Sequence, residues 1–576
     1  MKPIKATYRA LLAGGTILAF GIAAIVSMGS APEARQVSGQ PKAGPSDHVM
    51  FGGDPSRNMV NLIDKGVSDK LNPDGGDLLW KVNLGSKAYG GPIIAGGKVF
   101  VGTNNGQPRN NRDAKKNAQT GELEPIDRGI VMCFDEKTGK FLWQAVHNKL
   151  PSGQVNDWPG EGVCSTPVVE GDRLYYVSNR CCVVCADANG LADGNQGIQT
   201  EVYKTPTDAD FIWEFDMIKE LNVFPHNLAA CSPMIVGDIL FVVTANGVDE
   251  NHINIPAPEA PSFIALDKKT GKLLWKSNAP GNKIMHGQWS NPAYAEIDGV
   301  RQVIFPGGDG WLHSFRPETG EPIWMFDCNP KDAVYELGGT GTRSDFIGTP
   351  VVYNGRIFIG VGQDPEHTTG IANFFCIAPK KDSKGDISKF LETRTKDADG
   401  KEKIGEKPNP NSCEVWRYGG AEDRKWAIRD FKFGRTMSTA CVVDDIVYIS
   451  ELHGFLHCLD AKTGKHYWQF DTKGEIWGSP YYVDGKVFLG TGQSDLFVFR
   501  HKKDQKEVYD ELAAVQNIDD RKAAKKAMDE VKKKVADEFL IAKLEFPAPI
   551  RSTPVVANGV LYVMTENTLY ALKSGK

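Results

Sequence analysis

The sequence predicts an all-β protein, an eight-bladed β-propeller that carries a small helical insertion. One observation is a hairpin phrase, two apolar runs around a Thr-Gly turn with Trp at the end, as in FIALDKKTGKLLWK at 263–276. The phrase returns at 131–143, 312–324 and 456–468. A second phrase, two β-branched runs around a Gly or Asp turn, precedes the hairpins, and both phrases are β-hairpin signals.

The second phrase has eight copies, which sets the number of blades. They are 90–103, 164–179, 231–246, 290–308, 348–363, 438–454, 478–493 and 552–567. Together with the hairpin, each copy gives a unit of four short strands, A to D, with a tryptophan in strand D. These tryptophans are Trp80, Trp143, Trp213, Trp275, Trp324, Trp416 and Trp468. Four-stranded sheets repeated about an axis describe a propeller, and eight is within the usual range of blades.

The two ends of the chain complement each other, which predicts how the ring closes. Trp80 ends a D-like strand that has no C strand before it, whereas the last unit, TLYALKSGK, has a C strand with no D strand after it. One composite blade from both ends would remove the exposed sheet edges that promote aggregation. A solenoid, the alternative repeat architecture, needs capping units at both ends, and the sequence shows none.

Composition and charge narrow the class of partner. The 576 residues carry a formal net charge of −5, which argues against nucleic acid as a partner because nucleic-acid binders usually present a basic face. Glycine contributes 61 residues, which suits a turn-rich all-β chain. Many of the 11 cysteines lie inside apolar strand patterns, where a cysteine is most often a small buried hydrophobe.

The N-terminal region predicts export. Residues 1–31 combine three basic residues, an uncharged apolar run at 10–27 and small residues at the expected cleavage point. This pattern indicates a signal peptide, and an uncleaved N-terminal membrane anchor is the alternative. Residues 32–47 are predicted to be a linker, and residues 48–576 the propeller. Both alternatives place the propeller in the periplasm or the cell envelope.

Three insertions interrupt the repeat. Residues 104–128 lengthen one B–C connection, and the charged, Gly-rich residues 379–412 are predicted to form a surface loop. Residues 502–543 are rich in Ala, Glu and Lys, with apolar residues at helical spacing, and predict one or two helices. This insert is interpreted as a solvated helical appendage, and a docking element for a partner is the alternative.

The D–A and B–C connections of a propeller emerge on one face, around the mouth of the central channel. The residues predicted to bind a ligand or cofactor on this face are His226, Asn227, His286, Trp289, Trp311, Arg435 and Trp477. Four histidines, His226, His252, His286 and His367, fall on it in three consecutive blades. Such a pocket suits an anionic or saccharide-like ligand, or a metal held by His and Asp. The alternative is that these loops are polar because they face water.

The repeat resembles a known one. The pattern AxDxxTGKxxW, written ALDKKTGKLLW at 265–275, is similar to the tryptophan-docking repeat of pyrroloquinoline-quinone (PQQ) dehydrogenases. The propeller lipoprotein of the outer-membrane β-barrel assembly machinery shares this repeat. The resemblance covers about residues 48–576, and phrases such as FPHNLAACSP and GVGQDPEH resemble uncharacterised exported propellers of planctomycete-like bacteria. It implies the fold rather than a function, because function resides in sites.

The resemblance also implies what an enzyme of this kind would need. PQQ dehydrogenases hold calcium under the quinone through carboxylate and amide oxygens, use an Asp as general base and place an Arg near the quinone oxygens. Carried onto this sequence, Asp309 would be the base and Arg343 the quinone contact. Asn246 or Asp249 would help to bind the calcium ion.

Other features depart from the enzyme pattern. The adjacent Cys181 and Cys182 lie in a B–C turn, whereas the paired cysteines of the enzymes follow a D-strand tryptophan. An HDxWD-like signature is absent, and so is the CxxCH motif that attaches haem. The sequence therefore favours a non-catalytic binding or scaffold protein whose loop face holds a protein or a saccharide-like ligand. A PQQ- and calcium-dependent alcohol or sugar dehydrogenase with an atypical site is the alternative.

Overall fold

The fold is the predicted eight-bladed β-propeller. The computed structural model describes residues 46–362, 370–396, 399–422, 424–427, 429–505 and 514–573. Within them the chain forms eight sheets of four or five strands and two separate two-stranded hairpins. Neighbouring strands of each four-stranded blade are antiparallel and follow one another in the order A, B, C, D, as the repeated pair of hairpins requires.

The blades are numbered here in chain order, with strands A to D given in turn. Blades 1 and 2 are Ile93–Ala95, Lys98–Asn104, Arg128–Asp135 and Phe141–Asn148, then Val168–Glu170, Arg173–Val177, Cys182–Asp187 and Phe211–Asp216. Blades 3 and 4 are Met234–Val236, Ile239–Val243, Phe263–Asp267 and Leu273–Ser277, then Ala293–Ile297, Val300–Pro306, Trp311–Phe315 and Pro322–Asp327. Blades 5 and 6 are Val351–Tyr353, Arg356–Gly360, Asn373–Ile377 and Glu414–Gly419, then Cys441–Val443, Ile446–Ser450, Phe455–Asp460 and His466–Asp471. Blades 7 and 8 are Tyr481–Val483, Lys486–Gly490, Asp495–Arg500 and Leu540–Glu545, then Val555–Ala557, Val560–Met564, Thr568–Leu572 and Leu78–Asn83.

The ring closes through blade 8, which combines both ends of the described chain. Strand Leu78–Asn83 pairs antiparallel with Thr568–Leu572, and Trp80 lies opposite Ala571. The predicted composite blade is therefore confirmed. Because the first strand D is held by the last strands A to C, the sheet has no free edge at the point of closure.

The tryptophan of strand D docks on the next blade, and this explains why the hairpin phrase repeats. Five indole N–H groups donate to backbone carbonyls across a blade boundary at 2.8–3.1 Å. The donor and acceptor residues are Trp80 and Glu136, Trp143 and Ala188, Trp213 and Lys268, Trp275 and Pro317, and Trp416 and Ala461. Four of these rings lie against a Thr-Gly turn, where a Cβ on Gly139, Gly271, Gly320 or Gly464 would come within 2.6–2.7 Å of the indole.

Blade 4 docks differently, and blade 5 has no Thr-Gly turn at the equivalent place. The indole N–H of Trp324 donates instead to Gln302 Oε1 within its own blade, at 2.7 Å. The prediction of a surface loop at 379–412 was wrong in part, because the described residues of this segment contain three strands. Gly385–Asp386 pairs in parallel with strand D of blade 4, and a separate hairpin joins Phe390–Lys396 to Glu402–Pro408.

The helical insertion is present in the C–D connection of blade 7. Two α-helices occur among the described residues, a short α1 at Met217–Leu221 and the inserted α2 at Arg521–Phe539. Phe539, at the end of α2, stacks on the ring of Trp468 with centroids 4.7 Å apart. The insert thus covers the tryptophan of blade 6. In blades 2, 3, 5 and 8, a Thr-Gly turn of the next blade contacts the equivalent tryptophan. No α-helix in the described ranges is long and apolar enough to cross a bilayer.

The smaller elements occupy the connections. Three 3₁₀-helices lie at Asn111–Asp113, Gly190–Asp193 and Gly281–Lys283. The inserted B–C connection of blade 1 also holds a short hairpin, Ala114–Lys116 with Leu123–Pro125. Val60–Asn61 adds a parallel strand to strand A of blade 7.

Residues 46–64, called the N-terminal segment below, contact strand A or its flanking residues in all eight blades. Backbone carbonyls of His48, Val49, Pro55, Ser56 and Met59 accept from Ile94, Val169, Tyr294, Val352 and Tyr482 in blades 1, 2, 4, 5 and 7. Side chains of Arg57, Asn58 and Asn61 make the contacts to blades 3, 6 and 8. Since strand A is the strand next to the axis in a propeller, the segment lies along the inside of the ring.

Arg57 anchors this segment from a fully buried position. Its Nε donates to Pro292 O at 2.8 Å, Nη1 to Phe51 O at 2.9 Å and Nη2 to Ser232 O at 3.1 Å. Burial lowers the pKa of the guanidinium from 12.5 to about 10. The rigid fork of an arginine can satisfy several carbonyls at once, which makes burial of this cation tolerable.

Candidate functional site

The D–A connections of all eight blades meet at one end of the channel and enclose a cavity of about 420 Å³, the axial cavity. Phe51 of the N-terminal segment also lines it. A volume of this order is typical of sites for small molecules, which occupy roughly 300–1,000 Å³. The repeat determines its walls, because equivalent positions of each blade face the same space.

The first set of wall residues, the upper ring, varies from blade to blade. Each member stands three residues before the proline that precedes strand A, or before Ala440 in blade 6. The members are Tyr89, Cys164, Ala230, Trp289, Ile347, Met437, Trp477 and Arg551. This level of the wall therefore combines aromatic, aliphatic and charged side chains.

The second set, the hydroxyl ring, stands directly before the proline and is mostly Ser or Thr. The members are Gly91, Thr166, Ser232, Asn291, Thr349, Thr439, Ser479 and Thr553. Hydrogen bonds of 2.5–3.2 Å pass around the ring, from the N–H of one member to the side-chain oxygen of the next. Asn291 continues the chain through its Nδ2, which donates to Thr349 Oγ1 at 2.9 Å. Gly91, which has no side chain, is the one break in the ring.

An aromatic and charged cluster occupies one side of the upper ring. Tyr89 and Trp477 stack with centroids 5.7 Å apart, and the Arg551 guanidinium lies 4.3 Å from the centre of Trp477. Burial, together with the nearby Glu161, raises the pKa of Tyr89, whose hydroxyl donates to Glu161 Oε1 at 3.2 Å. The indole N–H of Trp477 is buried and has no acceptor among the described residues. Buried donors are normally paired, and this one is an exception.

Three histidines form a second candidate site, the histidine cluster. His226 and His286 are buried and come from the D–A connections before blades 3 and 4, and the half-buried His252 comes from the B–C connection of blade 3. One ring nitrogen from each lies within 4.8 Å of the others. Trp289 connects this cluster to the cavity, because its ring lies edge-on to His286 with centroids 5.1 Å apart.

The residues predicted to act in catalysis lie outside the axial cavity. Asp309 Oδ1 accepts from the backbone N–H of Trp311 at 3.0 Å and lies 3.3 Å from His313 Nε2. Arg343 donates through Nη2 to Asp327 Oδ1 at 2.6 Å and through Nε to the Asp309 carbonyl at 2.8 Å. Both side chains thus shape the loops of blade 4, and their catalytic roles stay predictions.

Trp311 and Arg435, predicted to contact a ligand, are also placed away from the cavity. The Lys331 ammonium lies 4.4 Å from the centre of the Trp311 ring. Lys331 donates in turn to Asp327 at 2.9 Å, and burial raises the pKa of that carboxyl against the opposing effect of Arg343 and Lys331. Arg435 is buried, and its Nη2 donates to the Gly341 carbonyl at 3.4 Å.

The two predicted calcium ligands have partners within the chain. Asn246 is fully buried; its Oδ1 accepts from Phe224 N at 2.9 Å and its Nδ2 donates to Ala257 O at 2.9 Å. Asp249 Oδ1 accepts from Ile253 N at 2.9 Å and caps the turn that carries His252. Desolvation is the largest single effect and raises the pKa of this carboxylate, but the hydrogen bonds from Asn254 and Ile253 together outweigh it and lower the pKa.

The cysteines contribute no disulfide, since each of them has a free thiol. Cys181 is buried in the B–C turn of blade 2 and points its Sγ at the Thr244 carbonyl, 3.2 Å away. Burial raises the pKa of Cys182 to about 12. Both thiols thus lie away from the axial cavity. His367, which was predicted to lie on the loop face, falls outside the described residues.

The structure brings Asn227, Trp289 and Trp477 into the axial cavity, together with residues that sequence reasoning missed. The missed residues are Phe51, Tyr89, Trp158, Glu161, Cys164, Ile347 and Met437. A signal for several of them exists in the repeat, because every upper-ring residue has the same offset from strand A. Phe51 gives no such signal, since the N-terminal segment has no periodicity.

A family model described as outer membrane protein assembly factor BamB matches residues 127–365 and 409–544, more than half of the chain. The chain belongs to this family of PQQ-like propellers. The match includes blades 2 to 4 and 6 in full. It leaves out the N-terminal segment and blade 8, both of which the structure adds to the ring.

Two curated relatives of the family are dehydrogenases. The polyvinylalcohol dehydrogenase of Sphingopyxis sp. (strain 113P3) is 25% identical over 373 residues, 51% of this chain and 56% of that protein. The quinoprotein ethanol dehydrogenase of Pseudomonas putida is 26% identical over 113 residues, 19% of this chain and 16% of that protein. The chain thus spans less than two thirds of the length of either relative.

Two solved structures are similar to this chain. BamB from Moraxella catarrhalis is 12% identical with a TM-score of 0.43, and the alignment covers 86% of this chain and 97% of that one. A europium-containing methanol dehydrogenase is 12% identical with a TM-score of 0.49, and the alignment covers 90% of this chain and 89% of that one. These likenesses concern the fold alone.

Proposed function

We propose that this chain is an exported, non-catalytic binding protein that holds a saccharide-like ligand in the axial cavity. The observation that carries the proposal is the layering of the cavity, with Tyr89, Trp289 and Trp477 in the upper ring and the hydroxyl ring next to it. A sugar ring has an apolar face that packs on aromatic side chains and hydroxyls that exchange hydrogen bonds at its edge. Pockets that combine aromatic walls with a few placed polar groups suit such ligands.

The positions of the acid–base candidates support binding rather than catalysis. Asp309 and Arg343 face partners within blade 4 and do not line the axial cavity. The one carboxylate among the described lining residues is Glu161, which accepts the Tyr89 hydroxyl hydrogen bond. A general base must reach the proton that it abstracts, and Asp309 does not border the cavity that would hold the substrate.

A PQQ-dependent dehydrogenase is the second candidate, and the cluster at Trp477 favours it. A flat ring stacked over an indole beside a guanidinium is a suitable site for an anionic quinone, so Trp477 and Arg551 fit this group. The calcium ion fits less well. Asn246 Oδ1 and Asp249 Oδ1 accept from backbone N–H groups, and Asp249 Oδ2 accepts from the Asn254 side-chain amide. Among the described lining residues, Glu161 alone supplies a carboxylate to the cavity. No catalytic step is therefore derived through the quinone.

Calorimetric titration of the full chain tests both candidates. One arm uses neutral and acidic oligosaccharides, and the other uses PQQ with and without calcium. We expect saturable binding of an oligosaccharide at about one per chain and no calcium-dependent binding of PQQ. Calcium-dependent, stoichiometric PQQ binding would favour the dehydrogenase. Absence of binding in both arms would contradict the proposal and favour a protein partner on the loop face.

A matched pair of variants locates the site. Trp477→Ala removes the indole from the cavity, and we expect at least a roughly tenfold loss of affinity, the size typical of a central aromatic contact. Trp426→Ala is the control, because Trp426 is similarly half-buried but packs near Ile518, whose carbonyl accepts its N–H at 2.7 Å. Equal loss in both variants would show that the ligand does not occupy the axial cavity.

A further inference from the structure

The histidine cluster has the dimensions of a metal site. His252 Nε2 and His286 Nε2 are 3.3 Å apart, and the ring centroids of His226 lie 4.5 Å from His286 and 5.0 Å from His252. Zinc binds imidazole nitrogen at about 2.0–2.1 Å, so two ligands of a tetrahedral ion are about 3.3 Å apart. The observed separation of the two Nε2 atoms matches that value.

The backbone fixes the orientation that metal binding requires. His226 Nδ1 lies 2.9 Å from the Val248 carbonyl, and since a carbonyl only accepts, Nδ1 carries the hydrogen. The lone pair of the neutral ring is then on Nε2. Metal-binding histidines commonly donate their second N–H to a carbonyl in this way, which sets the tautomer and the ring orientation.

Val248 also contacts a second histidine of the cluster. The backbone N–H of Val248 donates to the His286 carbonyl at 3.1 Å, so one residue positions two of the three rings. His252 has a left-handed backbone with φ of 58°, in a turn that Asp249 caps. Left-handed backbone in a residue other than glycine is uncommon and concentrates at functional sites.

From this geometry we propose that His226, His252 and His286 bind one divalent transition-metal ion, with Zn²⁺ as the preferred ion. Imidazole ligands suit zinc, copper and nickel rather than calcium or magnesium. Three protein nitrogens leave a fourth position for water or another ligand, as in zinc sites that are not purely structural. The site differs from the Asn246 and Asp249 calcium site that the family resemblance implied.

The site is independent of the proposed function but lies close to the axial cavity. Trp289 lines the cavity and has its ring 5.1 Å from His286 and 6.1 Å from His226, measured between centroids. Its indole N–H donates to the Leu228 carbonyl at 3.1 Å, two residues after His226. Trp289 is thus a shared wall, and a metal ion on one side would stabilise the side chain that faces the other.

The test is a titration of the untagged full chain with Zn²⁺ after treatment with a chelator, followed by Co²⁺ in place of zinc. We expect binding of one ion per chain and, with cobalt, the intense visible absorption of a tetrahedral complex. The His252→Ala variant should lose at least about 100-fold in affinity, because loss of a ligand exceeds loss of a supporting residue, which costs 10–100-fold. His252 is the suitable position because it is the half-buried member of the cluster.

Two controls make the outcome decisive. His453→Ala removes an exposed histidine and should leave the affinity unchanged. Circular dichroism and thermal unfolding of His252→Ala in chelator should match the parent chain, which separates loss of a ligand from loss of the fold. Failure of Zn²⁺, Cu²⁺, Ni²⁺ and Co²⁺ to bind stoichiometrically would overturn the proposal. So would zinc binding that survives both His252→Ala and His286→Ala.

Discussion

Gly271 of blade 3 lies directly against the indole of Trp213 in blade 2. A Cβ at position 271 would approach Trp213 Cε3 to 2.6 Å, and the backbone there has a φ of +69°. Glycine satisfies both demands, since it has no Cβ and adopts positive φ without strain. The same arrangement joins Trp80 to Gly139, Trp275 to Gly320 and Trp416 to Gly464, so the Thr-Gly turn acts as the receptor for the preceding blade.

The first prediction concerns this contact. Gly271→Ala should lower the free energy of unfolding by about 2–5 kcal/mol, because left-handed backbone costs about 1–2 kcal/mol and overpacking about 1–3 kcal/mol. Gly237→Ala in the same blade is the matched control, with a φ of +60° and no atom within 4 Å of the added Cβ. Urea midpoints of both variants measure the difference. Equal destabilisation would show that backbone strain alone, and not docking, sets the requirement for glycine.

Much of the fold could be predicted because each repeat has its own sequence signals for strands and turns. Each hairpin has its turn residue and each strand its alternation, so eight copies predict eight blades, and the unmatched ends predict the composite blade. At the place of the docking exception, blade 5 has Ala-Pro-Lys-Lys at 378–381, whereas blades 1, 3, 4 and 6 have Thr-Gly. The hairpin at 390–408 was missed because its strands are charged on both faces and give no apolar alternation.

The axial cavity was only partly predictable. Trp289 and Trp477 were identified as loop residues, whereas Tyr89 was not, although it has the same offset from strand A and belongs to the same ring. The N-terminal segment was missed as an internal element, because it contacts the blades through backbone carbonyls that any sequence provides. The histidine cluster depends on contacts between two blades. The distances between its three rings could not be predicted, because sequence spacing does not determine how far apart residues of different blades lie.

The second prediction concerns the anchor of the N-terminal segment. Arg57→Lys keeps the charge but loses the planar fork that serves the carbonyls of Pro292, Phe51 and Ser232. We expect a loss of about 2 kcal/mol or more, because a hydrogen bond that involves a charged group contributes roughly 1.5–3 kcal/mol. Arg316→Lys is the control, because Arg316 is exposed. Chemical denaturation measures both. A shift below about 0.5 kcal/mol, the size of an ordinary surface substitution, would show that the segment contributes little to the ring.

The third prediction concerns acid stability. Burial lowers the pKa of His147 from 6.5 to about 3, and its Nε2 lies 2.8 Å from Tyr176 Oη. Between these pH values, His147 is protonated in the unfolded chain and neutral in the folded chain. The contribution of neutral His147 is therefore complete above pH 6.5 and declines as the pH falls, by up to about 1.4 kcal/mol per pH unit.

His147→Gln, which retains a polar partner for Tyr176, should remove this part of the pH dependence. Between pH 7.5 and pH 5, the variant should lose about 2 kcal/mol less stability than the parent chain, as measured by urea midpoints. His453→Gln changes an exposed histidine and should follow the parent. A variant at position 147 that follows the parent as well would show that His147 is protonated in the folded chain.

The fourth prediction asks whether Arg343 supports the fold or contacts a cofactor. Arg343 and Lys331 both donate to the buried Asp327, so Arg343→Ala leaves that carboxylate with less compensation and should cost about 3 kcal/mol. In the double variant, Asp327→Asn should recover part of the stability that Arg343→Ala loses. Both substitutions remove the same interaction, so their effects on stability are not additive. A double-mutant cycle by urea denaturation measures the coupling. If Arg343→Ala leaves stability unchanged and instead weakens PQQ binding, the ion pair is dispensable and the residue belongs to a cofactor site.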